Sequence, residues 1–144
     1  MQSGGIQLEH SDINSEPNPP KQGPLGLQVM ESKDGKSKLR LEVQDWHLHS
    51  KEDPRVGGGV IMALSDSAAH FAIQSLLEDN ELHATVDVKI NFIRPGREGV
   101  LDAEGLILYK GSRFAVSEVS IKQDGKLIAK AQGTETFVWK RDKK

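Results

Sequence analysis

One segment of this chain has the residue spacing of a long helix, whereas the other patterned segments alternate as strands do. It follows the glycines of "VGGGV" and is predicted to run over residues 58–78. Apolar side chains occupy most of its circumference, where a surface helix would carry a single stripe. The helix must therefore be wrapped by a sheet or covered by a partner. Its apolar residues are Val60, Ile61, Met62, Ala63, Leu64, Ala68, Ala69, Phe71, Ala72, Ile73, Leu76 and Leu77.

Alternating segments flank this helix, two before it and four after it. The dipeptides at residues 34–35 and 124–125 are both Asp-Gly, a signal for a two-residue β-hairpin, so neighbouring strands run antiparallel. We predict an α+β fold in which a long central helix is wrapped by a curved antiparallel sheet of about six strands. In the first strand after the helix, one face is predicted to carry Val86, Val88, Ile90 and Phe92.

The chain has 144 residues, enough for one domain with a core of its own. Residues 1–24 are polar and hold most of the prolines. We therefore predict a disordered N-terminal arm at 1–24, followed by a domain at 25–144.

Composition excludes several classes of function. A formal net charge of -2 gives no basis for sequence-independent attraction to nucleic acid. The absence of cysteine excludes disulfides, thiolate catalysis and thiolate metal sites, and the histidines are too scattered to predict a metal site. No segment has the pattern of a membrane span or a signal peptide. We expect a soluble cytoplasmic protein without a cofactor.

Three polar residues interrupt the predicted helix on one line. Asp66, His70 and Gln74 follow an i, i+4, i+8 spacing, so this line must face a cleft, an interface or water. A carboxylate among apolar neighbours is a candidate base, because desolvation favours its protonated form. The alternative interpretation of Asp66 is a structural ion pair with His70.

The glycines at residues 57–59 place free backbone N–H groups at the start of the helix. These groups have no partner within the helix, and the helix dipole favours negative charge beside them. Without side chains in the way, a substrate carbonyl can approach them closely. The alternative interpretation is a flexible entry to the helix with no chemical role.

The order of motifs resembles the hotdog-fold acyl-CoA thioesterases of the phenylacetic-acid-degradation (PaaI-like) type. The resemblance rests on "GGV" and "LSDSAA" at the helix, then "TVDVKINFIRPGREG", "GSRFAVSEVSI" and "GKLIAKAQGT" in the following strands. It covers about residues 25–138. The hotdog fold named by this resemblance is the same arrangement of one wrapped helix and a curved sheet.

The resemblance also implies positions for the functional residues. Members of this family carry His-Gly-Gly before the helix, with an Asn six residues before the His and a catalytic Asp nine residues after it. Asp66 matches the catalytic Asp, whereas Gly57 stands in place of the His and Lys51 in place of the Asn. Thr85 keeps the hydroxyl that precedes "VD" in some members.

These matches imply roles in thioester hydrolysis. Asp66 would activate water, Gly58 would donate its N–H to the carbonyl oxygen as negative charge develops, and Thr85 completes the catalytic set. Basic residues near the opening of the cleft that binds coenzyme A would contact its phosphates. Coenzyme A is here part of the substrate. The residues assigned to substrate binding are Gly57, Gly59, His70, Arg94 and Arg113.

The resemblance implies an acyl-CoA thioesterase that works as a homodimer or homotetramer, since sites of this family are built across a two-fold interface. The losses at Gly57 and Lys51 leave open a non-catalytic hotdog protein that binds acyl-CoA or another apolar ligand. A hotdog dehydratase is less favoured, because its histidine is absent from the loop and the helix start.

Overall fold

The computed structural model describes residues 18–139, which form six strands, one long helix and a short 3-10 helix at Asp45–His47. The predicted α+β hotdog architecture is confirmed. In chain order the elements are β1 (Gln28–Lys33), β2 (Lys36–Glu42), α1 (Gly58–Gln74), β3 (Glu81–Phe92), β4 (Val100–Lys110), β5 (Phe114–Gln123) and β6 (Lys126–Trp139).

All six strands belong to one antiparallel sheet with the order β1-β2-β4-β5-β6-β3. Both predicted Asp-Gly hairpins form, and in each turn the Asp and the Gly have positive φ angles. β3 follows α1 in the chain and lies at the edge of the sheet beyond β6, so one side of its backbone has no neighbouring strand among residues 18–139.

Two serines of the β1–β2 hairpin hold α1 against the sheet. Ser37 Oγ donates a hydrogen bond to the Ala68 carbonyl oxygen at 2.6 Å, and Ser32 Oγ donates to that of Phe71 at 2.7 Å. On β4 the helix backbone comes so close to Gly105 that a Cβ atom there would lie 2.5 Å from the Ala68 oxygen. Glycine is therefore required at this crossing.

The helix ends at Gln74, which corrects the sequence prediction of residue 78. Ser75 Oγ donates to the Ala72 carbonyl oxygen and accepts the N–H of Gly35, both at 2.7 Å. The β1–β2 turn thus binds the residue at which the helix stops. Leu76 and Leu77 continue the apolar spacing but lie beyond the last residue of the helix. A prediction from periodicity alone therefore made the helix too long.

The face predicted for β3 also needs a correction. A β-bulge between Thr85 and Asp87 shifts the register against β6, and Val86 is 59% exposed. One extra residue in a strand reverses the face of the sheet to which the following side chains point. Val86 therefore does not share the inner face with Val88 and Ile90. Those two side chains are partly buried and pack against the core.

The core lies between α1 and the inner face of the sheet. Its largest fully buried apolar side chains are Val29, Leu39, Leu41, Leu64, Ile73, Leu101, Val119 and Ile121. Burying such side chains is the main favourable contribution to folding, about 1.5–3 kcal/mol for each one. No helix within residues 18–139 has the length and apolar character needed to cross a membrane.

The last residues of the predicted N-terminal arm contact the domain. Gln28 Nε2 donates to Asn18 Oδ1 at 3.0 Å and to the Pro19 carbonyl oxygen at 2.7 Å. Lys21 Nζ lies 2.7 Å from Glu42 Oε1. The rest of the predicted arm, residues 1–17, lies outside the part of the chain that the structure describes.

Candidate active site

Asp66 and Thr85 are brought together by the packing of α1 on β3. Thr85 Oγ1 donates a hydrogen bond to Asp66 Oδ1 at 3.0 Å. This bond fixes one carboxylate oxygen and leaves the other available to accept a proton. Asp66 is solvent-exposed, which corrects the expectation that its own apolar helix would desolvate it.

A second carboxyl lies under this pair. Glu135 on β6 is directly opposite Thr85 in the β3–β6 ladder and is 1% exposed. Burial, followed by the negative charge of Asp66, raises the pKa of Glu135 to about 7. Ser117 Oγ on β5 donates to Glu135 Oε2 at 3.5 Å, a long contact that opposes the shift only in part. The buried acid of this region is therefore Glu135.

Two histidines extend the cluster along the helix. His70, one turn after Asp66, has its Nδ1 2.7 Å from Nε2 of His83 on β3. Burial lowers the pKa of both rings, while the Asp66 carboxylate opposes the shift in each. Since both rings favour the neutral form, one nitrogen donates and the other accepts. His70 is therefore already paired with His83 in the single chain.

The glycines lie at the other end of α1. Gly57 is the N-cap residue, and its carbonyl oxygen accepts the N–H groups of Val60 and Ile61 at 3.0 and 3.2 Å. Gly58 and Gly59 open the first turn, and within residues 18–139 neither N–H has an acceptor. The backbone groups expected to bind a developing oxyanion are therefore available.

A buried histidine holds the loop that leads to these glycines. His47 Nδ1 accepts the Gln44 N–H at 2.8 Å, and its Nε2 lies 3.0 Å from the Leu25 carbonyl oxygen, so Nε2 carries the proton. The His47 carbonyl oxygen accepts the Gly57 N–H at 2.9 Å. His47 thus sets the position of the N-cap.

A cleft opens beside the glycines at the end of β3. The Phe92 ring lies against Gly58, where a Cβ atom would be 3.7 Å from it. A Cβ atom at Gly57 would make only ordinary contacts, and one at Gly59 would meet nothing within 4 Å. The cleft is lined by His49, Arg55, Val56, Gly57, Gly58, Ile61, Phe92, Ile93, Arg94 and Pro95.

Within one chain the two halves of the predicted site are separate. Gly58 and Asp66 are eight residues apart on α1, which is about 12 Å along the axis. Thr85 and Phe92 are seven residues apart on β3, which is about 23 Å. A single thioester group cannot contact both ends, so the structure brings together Asp66 with Thr85 and the glycines with Phe92, as two half-sites.

The predicted phosphate-binding arginines divide between these half-sites. Arg94 lies at the glycine cleft and donates from Nη1 to the Leu127 carbonyl oxygen at 2.9 Å. Arg113 lies in the β4–β5 turn, where its carbonyl oxygen accepts the Phe137 N–H at 3.1 Å, beyond the Thr85 end of the ladder. The two residues occupy opposite ends of β6.

Sequence reasoning missed Glu135 and the role of His83. A signal for Glu135 was present, because alternation along β6 places it on the same inward face as Ala129, Ala131 and Phe137. A carboxyl at a core position is costly unless it is paired or serves a function. No sequence pattern indicates that His83 contacts His70. The two rings meet because β3 packs against α1.

Comparison with known proteins identifies the family. A family model described as the thioesterase superfamily matches residues 55–129. The Saccharolobus solfataricus protein named "Putative esterase SSO2140" is 40% identical over 78 residues, 54% of this chain and 55% of that relative. The chain therefore matches little more than half the length of this relative.

Solved structures support the same assignment. Conserved protein PA5202 of Pseudomonas aeruginosa is 30% identical, with a TM-score of 0.74 over 79% of this chain and 90% of that one. A mutant of the phenylacetic acid degradation protein PaaI of Thermus thermophilus is 26% identical (TM-score 0.70; coverage 78% and 93%). A hypothetical thioesterase of Streptococcus pneumoniae TIGR4, solved with coenzyme A, shares the fold at 23% identity (TM-score 0.72; coverage 81% and 88%). This chain belongs to the thioesterase superfamily and is a hotdog-fold protein of the PaaI-like type.

Proposed function

We propose that the protein hydrolyses an acyl-CoA thioester to the free acid and coenzyme A. Asp66 takes a proton from water, whose oxygen attacks the thioester carbonyl carbon. The carbonyl oxygen gains negative charge and accepts hydrogen bonds from the N–H groups of Gly58 and Gly59. The carbon–sulfur bond then breaks, and the departing thiolate receives the proton held by Asp66.

The observation that carries this proposal is the placement of the two half-sites along the edge of β3 that has no neighbouring strand within residues 18–139. Thr85 with Asp66 lies in the first half of β3, and Phe92 with the glycines lies at its last residue. If two copies pair antiparallel through β3 about a two-fold axis near Val88, Thr85 of one copy faces Phe92 of the other. Each pair of half-sites then forms one complete site.

The side chains of β3 suit such pairing. Leu82, Val86 and Phe92 are 45%, 59% and 52% exposed, an unusual amount of apolar surface for an edge strand. In the proposed dimer the partner's β3 would cover this strand and desolvate Asp66. The desolvation expected from the sequence would then come from the second chain.

Coenzyme A is the substrate carrier that the site suits best. Its phosphates need cations, and in the antiparallel dimer Arg94 of one copy would approach the Arg113 end of the other. The coenzyme A found with the Streptococcus pneumoniae thioesterase supports this choice. His70, which the sequence assigned to substrate binding, would act in this proposal by holding His83 and the Asp66 end of the helix.

Thiol release from a panel of short, medium, branched and aromatic acyl-CoAs tests the proposal. We expect turnover of at least one member, and a loss of about 100-fold or more in Asp66→Asn, since general base catalysis contributes on this order. Asp79→Asn is the matched control, because Asp79 is exposed and lies in the turn after α1.

Two results would contradict the proposal. Activity that survives Asp66→Asn would remove Asp66 from the chemistry. Tight binding of acyl-CoA without turnover of any panel member would instead support the non-catalytic binder, which the glycine at position 57 leaves as the second candidate.

A further inference from the structure

Glu135 is a buried acid that the proposed chemistry does not use. It lies on the inward face of β6, opposite Thr85 of β3 and beside Ser117 of β5. The bulge that follows Thr85 starts at this rung of the ladder. Glu135 therefore lies next to the residue that orients Asp66, and it is buried from solvent.

Within residues 18–139, one carboxyl oxygen of Glu135 is buried and has no hydrogen-bond partner. The other such atoms in this part of the chain are Ser65 Oγ and His83 Nδ1. Ser65 adjoins Asp66 in the chain, and His83 lies two residues before Thr85. Buried polar groups without partners are costly and mark functional sites more often than random positions.

The charges that face Glu135 come from two other elements. Asp66 on α1 and Asp87 on β3 both raise the pKa of Glu135, and the Ser117 hydroxyl on β5 lowers it. Burial lowers the pKa values of the nearby His70 and His83 rings, so both rings favour the neutral form. The carboxyl of Glu135, whose pKa is raised to about 7, is a group in this region that changes its charge near neutral pH.

We propose that Glu135 is a positioning residue for Asp66: the charge of its buried carboxyl, opposite the Thr85 whose hydroxyl binds Asp66, controls how effectively Asp66 acts on water. Coupling between two sites is reciprocal, so if the Asp66 carboxylate disfavours ionisation of Glu135, the charge of Glu135 acts equally on the Asp66 side of the site. Negative charge on Glu135 therefore promotes the transfer of a proton from water to Asp66. This role rests on the proposed function of Asp66.

The pH dependence of turnover tests this role. For the wild type we expect kcat to rise about 3- to 10-fold between pH 6 and pH 8, with KM nearly constant. Glu135→Gln is neutral at every pH and should lose this rise, so that its kcat at pH 8 resembles that of the wild type at pH 6. Glu104→Gln, an exposed change on β4, should keep the wild-type profile.

Thermal unfolding provides a readout that does not depend on turnover. Because the pKa of Glu135 is raised in the folded state, the unfolded chain loses this proton first as the pH rises, and folding stability falls between about pH 4.5 and pH 7. The Tm of Glu135→Gln should therefore exceed that of the wild type increasingly over this range. In Asp66→Asn the fall of stability that follows ionisation of Glu135 should occur at lower pH, because one neighbouring negative charge is gone.

The two readouts separate the possible failures. An unchanged Tm profile in Asp66→Asn, or a rise in kcat that persists in Glu135→Gln, would overturn the coupling. If Glu135→Gln does not fold, the comparison of wild type with Asp66→Asn still tests the coupling on the intact Glu135. A shifted Tm profile without turnover of any acyl-CoA would support the coupling and contradict the proposed thioesterase function.

Discussion

Single backbone N–H groups carry much of the chemistry proposed for this protein. Gly58 is the first residue of α1, and its N–H has no acceptor in the described part of the chain. Proline is well tolerated at this first helical position, because the helix does not use that N–H. The extended backbone of Gly57, with φ -60° and ψ 141°, is also compatible with a following proline.

Gly58→Pro should therefore remove the proposed oxyanion donor while the helix still forms. We expect a loss of about 100- to 1000-fold in kcat, the usual effect of deleting such a donor. Gly58→Ala keeps the N–H and adds one methyl group at ordinary contact distance from Phe92, so it should lose far less. Equal losses in both variants, with unchanged circular dichroism, would show that the space at this position matters and the N–H does not.

We expect the glycine at position 57 to affect which acyl group can bind. A Cβ atom there would lie 3.7 Å from the His47 carbonyl oxygen and 3.9 Å from Val60 Cγ2, so a side chain can be accommodated. Gly57→His, the residue usual in the family, should lower kcat/KM for branched and aromatic acyl-CoAs more than for short straight ones. A uniform change across the panel would contradict a role for Gly57 in accepting bulky acyl groups.

At the scale of elements, the packing of α1 on the sheet determines where Asp66 lies. Hydrogen bonds from Ser32 and Ser37 reach carbonyl oxygens of the helix, and Gly105 allows the closest approach. A sliding of the helix by one residue would move Asp66 about 1.5 Å from Thr85 and break their hydrogen bond. The helix–sheet contact is thus a condition for the half-site.

Gly105→Ala tests this contact. Its Cβ atom would lie 2.5 Å from the Ala68 oxygen and 2.6 Å from Ser37 Oγ, so the helix must move outward. We expect the free energy of unfolding to fall by about 1–3 kcal/mol, as for other overpacked sites, with a loss of kcat. Chemical denaturation measures the change. Gly59→Ala, which adds a Cβ into open space, is the control for the unfolding measurement alone, because Gly59 belongs to the proposed oxyanion site.

The sequence was sufficient to predict the elements and their class, because helical spacing, strand alternation and Asp-Gly turns are local signals. It predicted Asp66, Thr85 and the glycines through their motif positions. It could not predict the end of α1, since Ser75 is held by Gly35 from another element. Nor could it predict the exposure of Val86, which follows from a bulge whose register is set by β6.

At the scale of the whole molecule, the edge strand β3 is the element through which the proposed dimer would complete its site. The two halves of the strand carry different half-sites, and three of its large apolar side chains, Leu82, Val86 and Phe92, are exposed. A protein with this arrangement should be inactive as a single chain, because the base and the oxyanion donors are too far apart. Activity and association through β3 are therefore expected to be lost together.

Val86→Lys places a charge on this edge at a position that is 59% exposed in the single chain. We expect the variant to fold, to become monomeric and to lose thioesterase activity, since a lysine on an edge strand opposes pairing. Light scattering coupled to gel filtration gives the mass. Val100→Lys, at the 36% exposed start of β4, is the control and should stay associated. A monomeric variant with full activity would contradict a shared site.

The most direct test of a site built from two chains is complementation between two inactive variants. Asp66→Asn and Gly58→Pro are each expected to inactivate every site in their own homodimers. In a mixed dimer, one site would contain both changes and the other would be wild type, so co-expression should restore about a quarter of wild-type activity. If both catalytic parts belonged to the same chain, the mixture would stay as inactive as its components, and the proposed site would be wrong.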